Sequence, residues 1–396
     1  MKIFRHAAKL VITGLLALPL VATFAWPSLD SVEQRALAAA PSVPHSWSDA
    51  RAWPAAAEAW VNDHFGWRSQ MVAFNARLYH DLFGRFPTNQ MMMGREGRIF
   101  LAAHNDRGRG EPYTALVACG WKFRREPEIV QQINGFIATF KAQGIAARLL
   151  IVPSGPVVYS EQMQPWQAER CRPDAVPLRR ILASPALAPE ARELVYFPLS
   201  EMRAMRDRVE FFPKTFFHWN ASGAAAVAGL AEQRFWGRGA NTTPIPLVQR
   251  MSPSDVGWLF PGIQHDSMTD DPNFGGTTIS PCRGADCFPE AKTAMEKLGD
   301  VGRFLNSAPG LGPRLVVLAD SFGNAGAPMF SRYHREVVYV STNNMARLDP
   351  AEMAQLRKLL FVPGSGDEVL FLYHDATVLS DRIEYDLKNL SIQQQK

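Results

Sequence analysis

A serine that follows a short apolar run is the residue best suited to chemistry in this chain. Ser321 comes directly after the sequence RLVVLAD at residues 314–320, and the apolar stretch within it is typical of a strand buried on both faces of a parallel sheet. Gly323 permits a sharp turn just beyond the serine. We therefore predict that the Ser321 hydroxyl lies near unpaired N–H groups at a helix start, which can stabilise an oxyanion. The alternative is that Ser321 only caps that helix.

A histidine earlier in the chain is a candidate base for this serine. His218 precedes an alanine-rich stretch at residues 221–236, where good helix formers behind an Asn or Ser cap predict a helix. A serine needs a base to become nucleophilic at neutral pH, and imidazole has a suitable pKa. Ser321 and His218 together predict a nucleophilic serine with a histidine base. The alternative for His218 is a hydrogen-bonded residue packed beside Trp219.

Helices and strands alternate through most of the chain, and they must position these two residues. Such alternation implies an α/β fold with a mostly parallel sheet and helices on both of its faces, in which ligands bind at the carboxyl ends of the strands. The predicted elements are a helix at 128–143, strands at 147–152 and 194–197, a helix from about 221, strands at 315–318 and 337–340, a helix at 350–360 and a strand at 369–373.

Composition excludes several classes of protein. The 396 residues are 47% hydrophobic, which is enough to bury a large core. The net charge is +4, and Lys2, Arg5 and Lys9 supply three of those charges. Because the rest of the chain is nearly neutral, we expect no nucleic-acid partner.

The N-terminal residues predict export. The three cations precede an uncharged, mostly apolar stretch at residues 10–26, which is typical of a signal segment or a short membrane anchor. We expect residues 1–26 to be an uncleaved anchor in the inner membrane, with the body in the periplasm. Residues 27–54 are rich in Pro, Ala and Ser and are predicted to form a linker.

The body of the protein is expected to span residues 55–380, with helices between residues 55 and 83 and a strand, turn and strand between residues 91 and 101. Residues 241–288 are rich in Gly, Pro and Asp and are predicted to form a long irregular loop. Residues 381–396 are predicted to be a C-terminal tail.

The four cysteines agree with an oxidising compartment. Four cysteines allow three pairings, and the favoured one joins Cys282 with Cys287 and Cys119 with Cys171. A zinc site is less favoured, because no closely spaced Cys or His couples would bring four ligands together. We expect neither a metal nor an organic cofactor.

Several segments, taken together, resemble the SGNH-hydrolase-like alginate O-acetyltransferases, the periplasmic AlgJ and AlgX group that acetylates exopolysaccharides. In that family, as in this chain, the histidine segment precedes the serine segment. The matching pieces are Glu33 to Arg35, Asn62 to Arg68, Gly94 to Phe100, Ile151 to Ser154 with Tyr159, His218 with Trp219 and residues 222–224, and Asp320 to Phe322.

The resemblance implies a three-layer α/β/α domain, anchored or secreted. Its serine would accept an acetyl group and pass it to a hydroxyl of an exopolysaccharide, with the acetyl group supplied by a membrane-bound O-acyltransferase. Backbone N–H groups near Ser321, with the Asn324 side chain, would hold the oxyanion. Trp219 and Trp258 are candidate stacking surfaces for a sugar, with burial in the core as the alternative.

One departure from the family bears on activity. The family usually reads Asp-Thr-His-Trp, whereas here Phe216 stands two residues before His218, so the acid that orients the imidazole is missing from its expected place. Another carboxylate replaces it, or Ser321 and His218 act as a weaker pair, or the domain is a scaffold that binds polymer or partners. An acetyl esterase is a further alternative. The candidate substitute acids lie in the long loop and are Asp255, Asp266, Asp270 and Asp271.

Overall fold

The structure is a computed structural model that describes residues 37–102, 114–239, 242–362 and 364–391, together with parts of residues 6–22. Most of the predicted signal or anchor segment lies outside the described residues. Among the helices that are described, none is both long and apolar enough to cross a membrane. The chain divides into two compact units, the first formed by residues 1–88 and 253–265 and the second by residues 89–252 and 266–396.

The described residues form eleven strands. In chain order they are β1 (Met91–Met93), β2 (Ile99–Leu101), β3 (Ala147–Val152), β4 (Val195–Tyr196), β5 (Leu247–Pro253), β6 (Asp266–Pro272), β7 (Ile279–Arg283), β8 (Val301–Asn306), β9 (Gly312–Ala319), β10 (His334–Ser341) and β11 (Glu368–His374).

The α-helices are numbered here from residue 47 onward. They are α1 (Trp47–His64), α2 (Arg68–Phe83), α3 (Glu126–Ala142), α4 (Gly155–Val158), α5 (Pro165–Ala168), α6 (Pro177–Ala183), α7 (Pro189–Leu194), α8 (Leu199–Met205), α9 (Ala221–Trp236), α10 (Asp255–Leu259), α11 (Lys292–Leu298), α12 (Gly323–Phe330), α13 (Pro350–Leu360), α14 (Asp375–Val378) and α15 (Arg382–Leu390).

A seven-stranded sheet is the framework of the second unit. Its strand order is β4-β3-β11-β9-β10-β8-β7. The first five of these strands run parallel to one another, whereas β8 pairs antiparallel with both β10 and β7. The sheet is therefore mixed, with a parallel part that carries two antiparallel strands at one edge. The predicted mostly parallel sheet corresponds to its first five strands.

Alternate residues of the central strands enter two separate hydrophobic clusters. From β9, Leu315 and Val317 belong to one cluster and Val316 and Leu318 to the other. The first cluster also contains residues of α9 and α12, and the second contains residues of α3, α13 and α15. Because successive side chains of a strand point to opposite faces, the sheet is buried on both sides. This double burial explains why the sequence of β9 reads as a continuous apolar run.

The first unit contains α1, α2 and α10. Helix α1 begins after Ser46, whose hydroxyl accepts a hydrogen bond from the backbone N–H of Asp49 at 3.1 Å. The guanidinium of Arg77 on α2 donates to the carbonyl of Gly262 at 2.9 Å. Gly262 has a φ of 97°, and a Cβ at that position would lie 2.6 Å from the carbonyl oxygen of Ala73. Only glycine permits this close approach.

Three predicted boundaries differ from the structure. Helix α1 begins at Trp47, inside the predicted linker, because Ser46 supplies an N-cap. Residues 241–288 were predicted to be irregular, but they contain β5 and β6, which pair with each other, and β7, which joins the main sheet. The predicted tail contains α15, whose Ile383 and Leu390 are buried in the second cluster. Strand pairing orders β5, β6 and β7 despite weak local patterns.

Both predicted cysteine pairs are within disulfide distance. The Cα atoms of Cys119 and Cys171 are 4.4 Å apart, and those of Cys282 and Cys287 are 5.8 Å apart. Both separations lie within the range that a disulfide requires. The two bridges fit an extracytoplasmic location, where disulfides form and persist.

Candidate active site

Ser321 lies in a tight turn between β9 and α12, at the carboxyl edge of the parallel strands. The backbone N–H of Gly323 donates to the carbonyl of Asp320 at 3.0 Å, and the N–H of Phe322 donates to the Asp320 side chain at the same distance. These two bonds fold the chain back immediately around the serine. A Cβ on Gly323 would lie 2.3 Å from the Tyr339 ring, so this glycine allows α12 to start close against β10. The sequence therefore presents Ser321 at the tip of a rigid turn.

Asp320 connects this turn to the neighbouring strand β11. One carboxylate oxygen accepts the Phe322 N–H, and the other accepts both the backbone N–H of His374 at 2.9 Å and its ring Nδ1 at 2.7 Å. Asp320 is 3% exposed. A buried carboxylate needs such hydrogen-bond donors, because burial without them would be very costly. Asp320 thus connects the end of β9 with the end of the adjacent strand β11.

Asp320 and His374 shift each other's pKa. Burial by itself would raise the pKa of the Asp320 carboxyl, but the charge and the hydrogen bonds of His374 hold that pKa below its usual 3.8. Burial would likewise lower the pKa of His374, but the Asp320 carboxylate raises it above the usual 6.5. The ring of His374 also stacks on Phe322, with centroids 4.9 Å apart and planes inclined by 14°. Each group therefore favours the charged form of the other, and the ring contacts hold the pair in one geometry.

His218 is positioned by the start of α9. The next residue but one, Asn220, is the N-cap of that helix, and its side-chain oxygen accepts from the backbone N–H groups of Ala221 and Asp270 at 3.1 and 2.7 Å. Between them, Trp219 donates its ring N–H to the carbonyl of Phe322 at 2.8 Å. This bond joins the histidine segment directly to the serine turn.

The two predicted chemical residues meet in this arrangement. Nε2 of His218 lies 3.0 Å from Oγ of Ser321, and both side chains are half-buried. A serine and a base at this separation can exchange a proton. The His218 ring is also 4.3 Å from the Phe217 ring and 5.7 Å from the Phe322 ring, centroid to centroid. Aromatic side chains therefore flank the imidazole.

A donor for an oxyanion is present at the serine itself. Within the described parts of the chain, the backbone N–H of Ser321 makes no hydrogen bond, whereas those of Phe322, Gly323 and Asn324 are all engaged. The Asn324 amide, predicted to help, donates instead to the carboxylate of Asp300 at 2.9 Å. The Ser321 N–H is thus the donor of this turn that is available to a substrate.

The two predicted sugar-stacking residues lie in different surroundings. Trp219 is 5% exposed and lies in the first hydrophobic cluster. A ring with so little exposed surface has no open face for a sugar, so Trp219 serves to pack the site rather than to stack on substrate. Trp258 is 56% exposed on α10, in the first unit.

The candidate substitute acids are distributed over both units of the structure. Asp270 accepts from the side-chain amide of Asn220 at 3.1 Å. Asp271 forms an ion pair with Arg250. Asp266 is exposed on β6, and Asp255 opens α10 in the first unit. Phe216, two residues before His218, is half-buried.

A mostly apolar pocket adjoins the site. Of the thirteen described residues that line it, three are polar, namely Arg98, Ser154 and His374. Five phenylalanines line it and come from four separate segments of the chain, Phe100, Phe212, Phe216, Phe217 and Phe322. Two of these five also flank the His218 ring.

Sequence reasoning missed the role of β11 in this site. His374 ends that strand and contacts Asp320, while the next residue, Asp375, accepts the backbone N–H of Ser154 at 2.9 Å. Burial raises the pKa of the Asp375 carboxyl. The signal was the polar pair after the apolar residues 369–373, the same pattern that identified Ser321 after β9.

Comparison with protein-family models finds no match, and comparison with curated protein sequences finds none either. Solved structures do match. The structure resembles a DHHW family protein from Eubacterium siraeum DSM 15702, with a TM-score of 0.50 and 13% sequence identity, over 77% of this chain and 97% of that one.

Two further likenesses are weaker. The structure of Bacillus cereus PatB1 with a sulfonyl adduct matches with a TM-score of 0.45 and 12% identity, over 74% of this chain and 99% of that one. The O-acetyltransferase domain of Pseudomonas putida AlgJ matches with a TM-score of 0.42 and 15% identity, over 73% and 92%. At these sequence identities, a structural similarity is evidence of a similar fold and not of a shared activity. The likeness to the DHHW family protein therefore concerns the fold.

Proposed function

We propose that this protein is an O-acyltransferase that carries an acetyl-type group on Ser321 and delivers it to a hydroxyl of an exopolysaccharide. The observation that supports this most directly is the 3.0 Å separation between His218 Nε2 and Ser321 Oγ. A bare serine hydroxyl is a weak nucleophile, and an adjacent imidazole is the usual means of activating it.

The reaction is a double displacement. His218 accepts the Ser321 proton as Oγ bonds to the carbonyl carbon of the acyl donor, and the Ser321 N–H stabilises the oxyanion. The bond to the donor's leaving group then breaks, and His218 returns the proton to that group. In the second half, His218 accepts the proton of a sugar hydroxyl, whose oxygen takes the acyl group from Ser321. The histidine finally protonates Oγ and the enzyme is restored.

The cellular setting of this proposal comes from the sequence. An exported chain with two disulfides and an apolar N-terminal segment belongs at the periplasmic face of the inner membrane. A membrane-bound O-acyltransferase would supply the acyl group there, and the acceptor would be a nascent exopolysaccharide. Phe216 stands where the resembling family usually carries its acid, so another carboxylate would have to orient the His218 ring.

The experiment is an intact-protein mass measurement after incubation with an activated acetyl ester such as p-nitrophenyl acetate. We expect one acetyl group on the wild type, none on Ser321→Ala, and slower acetylation of His218→Ala. Ser307→Ala is a matched control, because Ser307 is an exposed serine elsewhere in the second unit. Acetylation of Ser321→Ala at the wild-type rate would contradict the proposal.

Adding an acceptor separates transfer from the alternatives. For a transferase, an oligosaccharide acceptor should hasten the loss of acetyl from Ser321 and become acetylated itself. An esterase would release acetate at the same rate with and without the sugar. A binding scaffold would acquire no acetyl group at Ser321 under any of these conditions.

A further inference from the structure

A second cavity in the second unit has walls of a different kind. Its volume is about 360 Å³, which lies within the range of small-molecule sites. Six of its nine lining residues are charged, three of them basic and three acidic. They are Arg98, Arg206 and Arg208, with Glu161, Asp207 and Glu210. The formal charges of the wall therefore balance.

Arg98 is a buried cation in this wall. It is 5% exposed, its Nε donates to the side chain of Gln162, and its Nη1 donates to the carbonyl of Phe212 at 2.9 Å. The guanidinium also lies 4.0 Å from the centre of the Tyr159 ring. Within the described ranges of the chain, Arg98 forms no ion pair and its Nη2 donates to no protein group. A buried guanidinium favours further acceptors, so its remaining N–H groups are available to a ligand.

Three further charged side chains of the wall are open to solvent. Asp207, Arg208 and Glu210 are exposed, and their side chains make no hydrogen bond or ion pair with any part of the chain that the structure describes. Arg206 and Glu161, in contrast, pair with each other at 2.7 Å. The cavity therefore offers donors and acceptors side by side, on residues that are close in sequence.

The chemistry of this wall restricts the class of ligand. An arginine side chain only donates hydrogen bonds, and a carboxylate only accepts them. An anion would meet Asp207 and Glu210 in the cavity, and a cation would meet Arg98 and Arg208. A hydroxyl both donates and accepts and carries no charge. A neutral molecule that is rich in hydroxyls can therefore satisfy all of these groups, with charge-assisted hydrogen bonds to each.

The cavity lies close to the serine turn. The ring of Phe212 is 6.4 Å from that of Tyr159, which lines the cavity, and 6.2 Å from that of Phe322, centroid to centroid. Phe322 directly follows Ser321. One phenylalanine ring thus stands between a cavity wall and the residue next to the serine. A chain of sugars with one residue in the cavity would have its neighbouring residues near Ser321.

We propose that this cavity binds a neutral sugar residue of the acceptor polysaccharide, remote from the residue that receives the acyl group. Its role as an acceptor subsite rests on the proposed function, because that role takes the bound chain to be the acyl acceptor. Arg208 and Glu210 would bind sugar hydroxyls at the open side of the cavity, and Arg98 would bind one deeper inside. The favoured polymer is therefore one with uncharged residues, rather than a polyuronate with a carboxylate on each residue.

Titration calorimetry on Ser321→Ala measures binding in the absence of acyl transfer. The probes are three neutral tetrasaccharides, namely cellotetraose, mannotetraose and maltotetraose, and the anionic tetramannuronate, each at up to millimolar concentration. We expect one or more of the neutral probes to bind, and to bind more tightly than tetramannuronate. Binding of tetramannuronate alone, or of none of the four probes, would overturn the proposal.

Two substitutions locate the binding site. Arg208→Ala and Glu210→Ala, each added to Ser321→Ala, remove a charge-assisted hydrogen bond and should weaken binding of the neutral probe about tenfold. Arg335→Ala and Glu193→Ala are the matched controls, because both residues are exposed and neither lines the cavity. The controls should leave the affinity unchanged. Equal affinity of all four variants would show that the sugar does not bind in this cavity.

Failure of this inference and failure of the proposed function give different results. If p-nitrophenyl acetate acetylates Ser321 of the wild type but no neutral tetrasaccharide binds, the sugar site is wrong and the acyltransferase stands. If a neutral tetrasaccharide binds through Arg208 and Glu210 but no acetyl group forms on Ser321, the cavity stands as a sugar site and the acyltransferase is wrong.

Discussion

Asp320 shows how much of the site depends on one side chain. Its carboxylate accepts three N–H groups, two from His374 and one from Phe322, and these bonds surround the turn that carries Ser321. A buried ion pair of this kind contributes little net stability over an apolar pair, but removing one partner leaves the other charge buried and uncompensated. The value of the pair lies in the geometry that it imposes on the serine turn.

The Asp320–His374 pair makes the free energy of unfolding depend on pH. The pKa of His374 is raised above 6.5, so its contribution is complete below that value and is lost as pH rises through the folded-state pKa. The pKa of Asp320 lies below 3.8, so its contribution is present above 3.8 and is lost on acidification. Asp320→Asn should therefore lower the free energy of unfolding by about 3–5 kcal/mol near pH 6 and by less near pH 9.

Urea unfolding of the wild type and Asp320→Asn at the two pH values measures this difference. Asp207→Asn is the matched control, because Asp207 is exposed and its replacement should change the unfolding free energy by no more than about 0.5 kcal/mol. An equal loss of stability at both pH values would show that the ionised pair is not the cause.

At the scale of elements, two helix starts hold the site. Helix α9 follows His218 and helix α12 follows Ser321, and the Trp219 ring lies between them. A Cβ on Gly326 of α12 would lie 2.6 Å from Cζ2 of Trp219 and 3.1 Å from Cδ1 of Leu372. The absence of a side chain at residue 326 thus allows the tryptophan to reach the Phe322 carbonyl.

Gly326→Ala is expected to displace Trp219 and, with it, the neighbouring His218. We predict a loss of about 1–3 kcal/mol in the free energy of unfolding, as is usual for an overpacked core. Acylation of Ser321 should fall more than about tenfold, since misplacement of a base by about 1 Å has such effects. Gly135→Ala is the matched control, because a Cβ at Gly135 on α3 would meet nothing within 4 Å. A folded Gly326→Ala protein with wild-type acylation would show that Trp219 does not position His218.

At the scale of the whole molecule, the second unit contains a sheet that is buried on both faces and two disulfides. The two disulfides close loops of very different length. Cys119–Cys171 closes a loop with a sequence separation of 52, whereas Cys282–Cys287 spans only 5. The first bridge connects the chain before α3 with the chain after α5. A cross-link stabilises mainly by limiting the unfolded chain, so the longer loop should matter more.

Replacing each cysteine pair by alanines measures the contribution of each disulfide to the free energy of unfolding separately. From loop length, Cys119→Ala with Cys171→Ala should cost about 4 kcal/mol of unfolding free energy, and Cys282→Ala with Cys287→Ala about 2 kcal/mol. Urea unfolding under non-reducing conditions, with peptide mapping to establish the bonded pairs in the wild type, measures both effects. A larger loss from the short bridge would contradict the loop-length argument.

Local sequence patterns were enough to predict much of this architecture. The apolar run of β9, the alanine-rich helix α9 and the strand β11 are all present near their predicted bounds. Ser321 lies at a strand end and His218 lies before a helix, as predicted. These features depend on residues within a few positions of each other, where periodicity and helix capping carry the information.

Only the tertiary structure shows that His374 lies beside Asp320 and that Phe216 and Phe217 line a pocket. The pairing of β11 with β9 joins residues that are far apart in the chain, and no local pattern states which strands are neighbours. The strands β7 and β8 were missed because they are short, and burial against distant elements decides their conformation. Helix α15 did carry a local signal, because Ile383, Leu387 and Leu390 recur at helical spacing.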